Sequence, residues 1–355
     1  MGNEPSATRR PVVFVVPRFH TNLFFATRAL VRAGYPVRVI CVGQSVAEDH
    51  SVVEPEIFET DTRFRRLLLY MWRVRPALIV VRDVGGISRK VFWAGLLVGL
   101  RMVYYDQKPF RWRRSLRKIF VDLFRGRPPR RLTPVLGLDR AAAHDRWASY
   151  IPFPVEALVT KAGRPSTEDL RVLCVGKLTQ ARKNHDVVLA AVTAVACPQN
   201  VVLTFVGAST VSVGGGAAET LESLRKAVAA WPYPGKASIL EDVPFLDMPD
   251  LYASHDLCVL ASSGEPLGSA PLEAMAYGCI PVISDECGSA GYIEQNVDGF
   301  VTKAKDVKSL AAVFDELARD PARRAEISRR AQVRAAIDFG PDRFVAAIRE
   351  LMGGV

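Results

Sequence analysis

Short apolar runs alternate with helix-period segments along this chain, and that rhythm leaves few folds open. It begins at PVVFVVP (11–17), where the run is flanked by prolines and followed by a helix-like stretch. Runs of this kind, bounded by turns, predict buried parallel strands with helices packed on them. In the first half the expected strands are 12–16, 37–42, 77–81 and 102–105, with a weaker one at 133–136. Helices are expected near 22–33, 62–75 and 86–100. Repeated units of this type build a Rossmann-like half.

The rhythm stops between about 152 and 167, where the chain carries Pro and Gly and no sustained period, so the linker is placed there. It restarts with RVLCVG (171–176), VVLTFVG (201–207), ASIL (237–240), LCVLAS (257–262) and CIPVIS (279–284). A chain of 355 residues is long for one domain and suits two. The expected division is 1–160, 161–338 and a final segment, 339–355, that forms a helix crossing back to the first domain.

Charge separates the two halves. Residues 1–165 hold 29 Lys and Arg against 13 Asp and Glu, whereas the remainder holds 18 against 24. The excess draws anionic ligands, whether nucleic acid, membrane lipid or acidic glycan. The six cysteines lie mostly inside apolar runs with no CxxC pair, so they read as buried thiols rather than metal ligands. No signal-peptide layout precedes the first strand, and the longest apolar runs fall short of the roughly 20 residues that span a bilayer. A cytoplasmic protein is expected, with peripheral attachment to the inner face of the membrane open.

The sharpest feature is SSGEPLGSAPLEAMAYGCIPVIS (262–284), which sets Glu265 and Glu273 eight positions apart between a buried strand and a short helix. Ligands of open α/β sheets sit beyond the carboxyl ends of the strands, so Glu265, in the turn after LCVLAS, faces such a crevice. It can accept hydrogen bonds from sugar hydroxyls, and Glu273 can reach a second polyol such as ribose. Between them Gly268 and Ser269 leave backbone N–H groups at a helix start, suited to a phosphate or sugar oxygen. Paired carboxylates alone also fit a capped surface helix.

EPLGSAPLEAMAYGCIPVI resembles the donor-binding motif of retaining GT-B glycosyltransferases (glycosyltransferase family 4-like, glycosyl transferases group 1). That family includes relatives of sucrose and glycogen synthase and lipid mannosyltransferases. Leu267 stands where the family usually has Phe. A second segment, VLCVGKLTQARKNHDVVLAAV (172–192), resembles the family's G-R-L-x-x-x-K-G/N stretch after Gly176. Lys177 takes the usual Arg position and Lys183 the usual Lys position, with one extra residue that makes Arg182 a rival. VPFLDMPDLYASHDLCVLAS (243–262) and GYIEQNVDGFVTKAKDVKSL (291–310) follow the family layout as well.

The resemblance implies an α/β protein of GT-B type, two Rossmann-like domains facing each other across a cleft. It implies a nucleotide-diphosphate sugar as donor, with Glu265 on the sugar, Glu273 on the ribose and the base against backbone near Val243 and Pro244. Two fixed cations would stabilise the charge on the departing nucleoside diphosphate, so no metal or other cofactor is expected. The chain has no Asp-x-Asp motif.

On the acceptor side the family usually offers a His after its fourth strand, and here MVYYDQKPF (102–110) has none. Asp106 or Gln107 takes that place beside Lys108. Asp106 is the favoured catalytic candidate with Glu265 and Lys183, its alternative being a strand-end cap. His20, in the loop after the first strand, can touch acceptor or donor phosphate, or mark a helix start capped by Thr21 or Asn22.

The segment 110–131 interleaves Trp112, Leu116, Ile119, Phe120, Leu123 and Phe124 with nine cations. It reads equally as an interfacial helix on an anionic membrane and as a core-packing helix with a solvated basic face. In the first case the acceptor is a lipid-linked saccharide. Nucleic acid is not expected, because the aromatics are spaced to pack on one face. A nucleotide-sugar epimerase of the same fold and a non-catalytic sugar-binding scaffold are the alternative functions.

Overall fold

A computed structural model describes residues 9–353 except 20, 45–47, 83–84, 140–142, 162, 164–167 and 212–215, and leaves out the side chains of Thr21 and Asn22. The chain divides into two compact units, Met1–Pro154 with Phe339–Val355, and Val155–Asp338.

The first unit runs β1 (Val12–Val16), α1 (Thr21–Arg32), β2 (Val37–Cys41), β3 (Glu56–Ile57), α2 (Phe64–Val74), β4 (Leu78–Val81), α3 (Gly86–Val98), β5 (Met102–Tyr105), α4 (Leu116–Phe124), β6 (Arg131–Thr133) and β7 (Ala148–Tyr150). Its strands form one parallel sheet in the order β3-β2-β1-β4-β5-β6-β7. β1 and β4 are buried along their whole length because both faces are covered, so they read as unbroken Val/Ile/Leu/Phe runs. Val13, Val15, Ile79 and Val81 pack with Leu67 and Met71 of α2 and Val91 of α3.

The second unit runs β8 (Leu170–Val175), α5 (His185–Thr193), β9 (Val201–Gly207), α6 (Ala218–Ala229), β10 (Ala237–Glu241), α7 (Met248–Ser254), β11 (Leu257–Leu260), α8 (Ala270–Met275), β12 (Ile280–Ser284), β13 (Phe300–Thr302), α9 (Val307–Arg319) and α10 (Pro321–Asp338). Its parallel sheet has the order β10-β9-β8-β11-β12-β13. Both sheets reverse direction beside their first strand, which is the Rossmann arrangement and fixes where a ligand crevice lies. The last helix, α11 (Pro341–Met352), belongs to the first unit, where Arg349 Nε donates to the Tyr35 hydroxyl at 3.1 Å.

Two expectations are corrected. The strand expected at 133–136 is β6 at Arg131–Thr133, because Pro134 has no N–H to continue a ladder and the strand instead begins on a charged residue. Arg131 is fully buried. Its Nε donates to Asp145 Oδ2, Nη1 to Asp106 Oδ1 and the Lys108 carbonyl, and Nη2 to the carbonyls of Pro109, Phe110 and Trp112. Among the cysteines, Cys197 is exposed rather than buried, since it stands in the turn before β9 and outside any strand.

Candidate donor site

β8 ends at Val175 and the chain turns at Gly176, close against the end of β9. A methyl group placed on Gly207 would come within 1.8 Å of the Gly176 carbonyl oxygen, so only glycine fits there. After one tight turn through Ala181–Lys183, Asn184 takes a left-handed conformation (φ 51°) and α5 begins. The Asn184 amide donates to the Ala261 carbonyl (2.7 Å) and to Ser263 Oγ (2.9 Å), and the Ser263 N–H donates to the Arg182 carbonyl (2.8 Å). These bonds tie the loop after β8 to the loop after β11, at the point where the strand order reverses.

The second loop is pinned from its other side. The Glu265 N–H donates to the Glu286 carbonyl, the Gly288 N–H to the Glu265 carbonyl (2.9 Å), and the Ser289 N–H to the Leu267 carbonyl (2.7 Å). Leu267, at the usual Phe position, is buried, so the exchange keeps an apolar anchor under the turn. Gly268 has φ +73°, and a side chain there would also strike Leu260.

Both cations reach one carboxylate. Glu265 Oε2 accepts from Lys183 Nζ at 2.6 Å and from Arg182 Nη1 at 2.5 Å. Lys183 is buried with its stem against Gly176, whereas the Arg182 side chain is 40% exposed. Burial would raise the Glu265 pKa, but Lys183 and Arg182 outweigh it and hold the carboxyl below its ordinary range. Arg182 and Lys183 thus meet as a pair on one carboxylate, with Lys183 as the buried floor and Arg182 as the partly exposed rim. Lys177 lies half-buried in the turn just after Gly176. Below them His185 is buried with Nδ1 3.4 Å from Cys174 Sγ, and burial drives its pKa down to about 4, leaving it a neutral packing group.

Glu273 is deeper, buried on α8, where it accepts from the Tyr252 hydroxyl at 3.2 Å. Burial raises its pKa, tempered by hydrogen bonds from Ser269 and Tyr252. α8 spans only six residues, so it has little dipole, and what the turn offers a ligand is the N–H groups of Gly268 and Ser269 themselves. Val243 packs with Tyr252 and Leu173, and Pro244 follows it on the way to α7.

Sequence reading missed Asn184, Tyr252, Glu286 and Ser289. The buried Ser289 hydroxyl lies beside Gly268 and has no hydrogen-bond partner among the described residues. Glu286 accepts from the Gly264 N–H. The partners of Asn184 lie 77 and 79 positions away, beyond the reach of any local pattern.

The acceptor-side candidates form a separate group in the first unit. Asp106 follows β5 and accepts from Arg131 Nη1 at 3.0 Å and from the Lys108 N–H at 3.2 Å. Burial raises its pKa, with Arg131 opposing. Gln107 hydrogen-bonds Tyr105, and Lys108 Nζ lies 4.1 Å from the Trp112 ring centre. His20 falls outside the described residues, as do the side chains of its proposed cap residues. At the carboxyl ends of β1, β4 and β5, an apolar cavity of about 60 Å³ is lined by Val16, Arg82, Tyr105, Phe153, Phe344 and Ile348. Such a volume is too small for a sugar ring.

The family model for glycosyl transferases group 1 matches residues 159–334, which contain this whole assembly. The chain belongs to that family. Its fold is GT-B, matching Anabaena HepE in complex with UDP and glucose with a TM-score of 0.75, over 98% of this chain and 100% of that one at 16% identity. A glycosyltransferase from Rickettsia africae matches with 0.75 over 98% and 100% at 12% identity. The catalytic domain of Arabidopsis thaliana starch synthase IV, bound to ADP and acarbose, matches with 0.70 over 97% and 99% at 13% identity. Among curated sequences, glycogen synthase of Pseudomonas syringae pv. syringae is 28% identical over 103 residues, 29% of this chain and 21% of that protein. The chain thus aligns with only about a fifth of the length of that relative. In this group 1 domain the paired cations can meet an anion, and the carboxylate between them can meet hydroxyls.

Proposed function

We propose that the chain is a retaining, metal-independent glycosyltransferase that moves a hexose-type sugar from a nucleotide-diphosphate sugar to a saccharide or lipid-linked saccharide in cell-surface glycan synthesis. The observation that carries this reading is the convergence of Lys183, Arg182 and Glu265 at the carboxyl ends of β8 and β11. As the bond from the anomeric carbon to the phosphate oxygen breaks, negative charge grows on the nucleoside diphosphate. Lys183 and Arg182 are fixed where they can stabilise it without reorganising. Glu265 then serves the sugar hydroxyls, Glu273 the ribose, and the backbone near Val243 and Pro244 the base. The N–H groups of Gly268 and Ser269 and the Ser289 hydroxyl supply further contacts to donor oxygens.

The first unit supplies the acceptor surface in this reading. Asp106 Oδ1 is taken by Arg131 and the Lys108 N–H, so we assign Asp106 first to holding the 106–112 loop. That occupied carboxylate also favours a second reading, a non-catalytic sugar-binding scaffold. Incubation with nucleotide sugars and candidate acceptors decides between them. Release of nucleoside diphosphate with a product whose new linkage has the anomeric configuration of the donor supports transfer; binding without turnover of any donor supports the scaffold.

A further inference from the structure

Among the described residues, no helix is long and apolar enough to cross a membrane. The basic segment 110–131 left two readings, and the accessibility of α4 decides between them. A core-packing helix turns its apolar residues inward. α4 does the opposite: Leu116, Phe120 and Phe124, one stripe at i, i+4 and i+8, are 72%, 62% and 68% exposed. Its inward side carries Ile119 and, unusually, Asp122, which is paired with Lys118 at 3.1 Å, Arg127 at 3.3 Å and the buried Arg114 at 3.7 Å. Ion pairs therefore hold the helix down while its apolar stripe faces out. The Phe120 and Phe124 rings meet edge to face at 5.0 Å, making the stripe one continuous ridge.

The ridge has a neighbour. α3 links β4 to β5 and α4 links β5 to β6, so right-handed crossovers place both on one face of the sheet. Gly126, at the end of α4, lies so near α3 that a methyl group on it would come within 2.5 Å of Arg89 Cα. From Arg89 onward α3 exposes Trp93, Leu96 and Leu97. The cations around the ridge are of one sign: Arg113, Arg117, Arg125 and Arg130 are exposed, and Asp122, the sole acid of 110–131, is buried and neutralised.

We infer that the outer surface of α4, extended by α3, docks on an anionic lipid bilayer. Leu, Phe and Trp enter the headgroup boundary while the flanking arginines meet lipid phosphates. The charge selects this occupant. A second copy of the chain would set like-charged rims against each other, whereas an anionic surface neutralises them. The inference is independent of the chemistry proposed for the second unit.

The test is flotation of the full-length protein with phosphatidylcholine vesicles, with and without phosphatidylglycerol. Binding is expected only to the mixed vesicles, and weakening with salt. Replacing Leu116, Phe120 and Phe124 together by Ser should lower partitioning at least about tenfold, and Arg117→Ala with Arg125→Ala by a similar factor. Both variants should keep the wild-type thermal midpoint, because all five residues are exposed. Absence of binding to mixed vesicles overturns the inference, as does equal binding by the triple variant or equal binding to neutral vesicles. Self-association of the lipid-free protein that the triple variant abolishes also overturns it, by giving the ridge to a second copy.

Discussion

Two of the clusters in which arginine or lysine meets carboxylate, one around Arg131 and one around Glu265, are finished to different degrees. Around Arg131 every guanidinium N–H has a protein acceptor and the side chain is fully buried; Asp145 is shared by Arg131, Arg114 and the Trp147 N–H, and Asp106 Oδ1 by Arg131 and the Lys108 N–H. Around Glu265 a single oxygen, Oε2, takes both cations, Arg182 stays partly in solvent, and a buried Ser289 hydroxyl nearby lacks a partner among the described residues. A saturated cluster is a structural tie. One that keeps donors and acceptors in reserve is where a ligand completes the set.

Breaking the saturated cluster should have the largest effect. Arg131→Met strips Asp106 of its ion-pair partner, leaves Asp145 with Arg114 and the Trp147 N–H, and removes the donor to four loop carbonyls, at a cost of about 3–5 kcal/mol, read as a shift in the denaturation midpoint of the first unit. A variant that folds as well as wild type would show that the cluster is dispensable. In the reserve cluster the loss should fall on function. Glu265→Gln and Lys183→Ala should each lower transfer about 10²- to 10³-fold and leave the thermal midpoint nearly unchanged. If either instead unfolds the protein, the two clusters are of one kind.

A smaller effect separates the floor of the donor site from its rim. His185 has its folded pKa near 4, below the unfolded value near 6.5. The unfolded chain therefore binds a proton that the folded chain refuses, and stability falls as pH drops from about 6.5 toward about 4. His185→Gln should remove that component, seen as a flatter pH dependence than wild type in urea unfolding. Identical slopes would place His185 in solvent. The mildest test is thiol labelling. Cys197 is exposed, whereas burial pushes Cys41 and Cys174 up to about 12 and closes them to reagent. One fast-reacting thiol is expected in the native protein. A second would mean that a buried cysteine, such as Cys174 beneath Lys183, is exposed by opening of its unit.

Much of the candidate donor site was legible because its residues stand in one string. Glu265, Gly268, Ser269 and Glu273 lie within nine residues, and a strand, turn and helix in that order place them without long-range information. The Rossmann rhythm was readable for the same reason, since buried parallel strands are continuous apolar runs. Arg131 was not. A charged residue at the start of a strand breaks the apolar pattern, which is why β6 was expected two residues late, and its partners Asp106 and Asp145 lie 25 and 14 positions away. Nor could periodicity tell which face of α4 is buried. Its apolar stripe is plain in the sequence, but the decision to bury Asp122 rests with Arg114 and Arg127, outside the helix.

The most direct test of the account is a thermal-shift screen of the wild type and Lys183→Ala against UDP-, GDP-, ADP-, CMP- and dTDP-sugars with EDTA present. A bound ligand at a hundred times its Kd adds about 2.7 kcal/mol to the native state. The account predicts that one nucleotide class raises the wild-type midpoint and that Lys183→Ala loses the shift. A wild type that responds to none of them, or a variant that responds equally, would contradict a donor site built on Lys183 and Glu265.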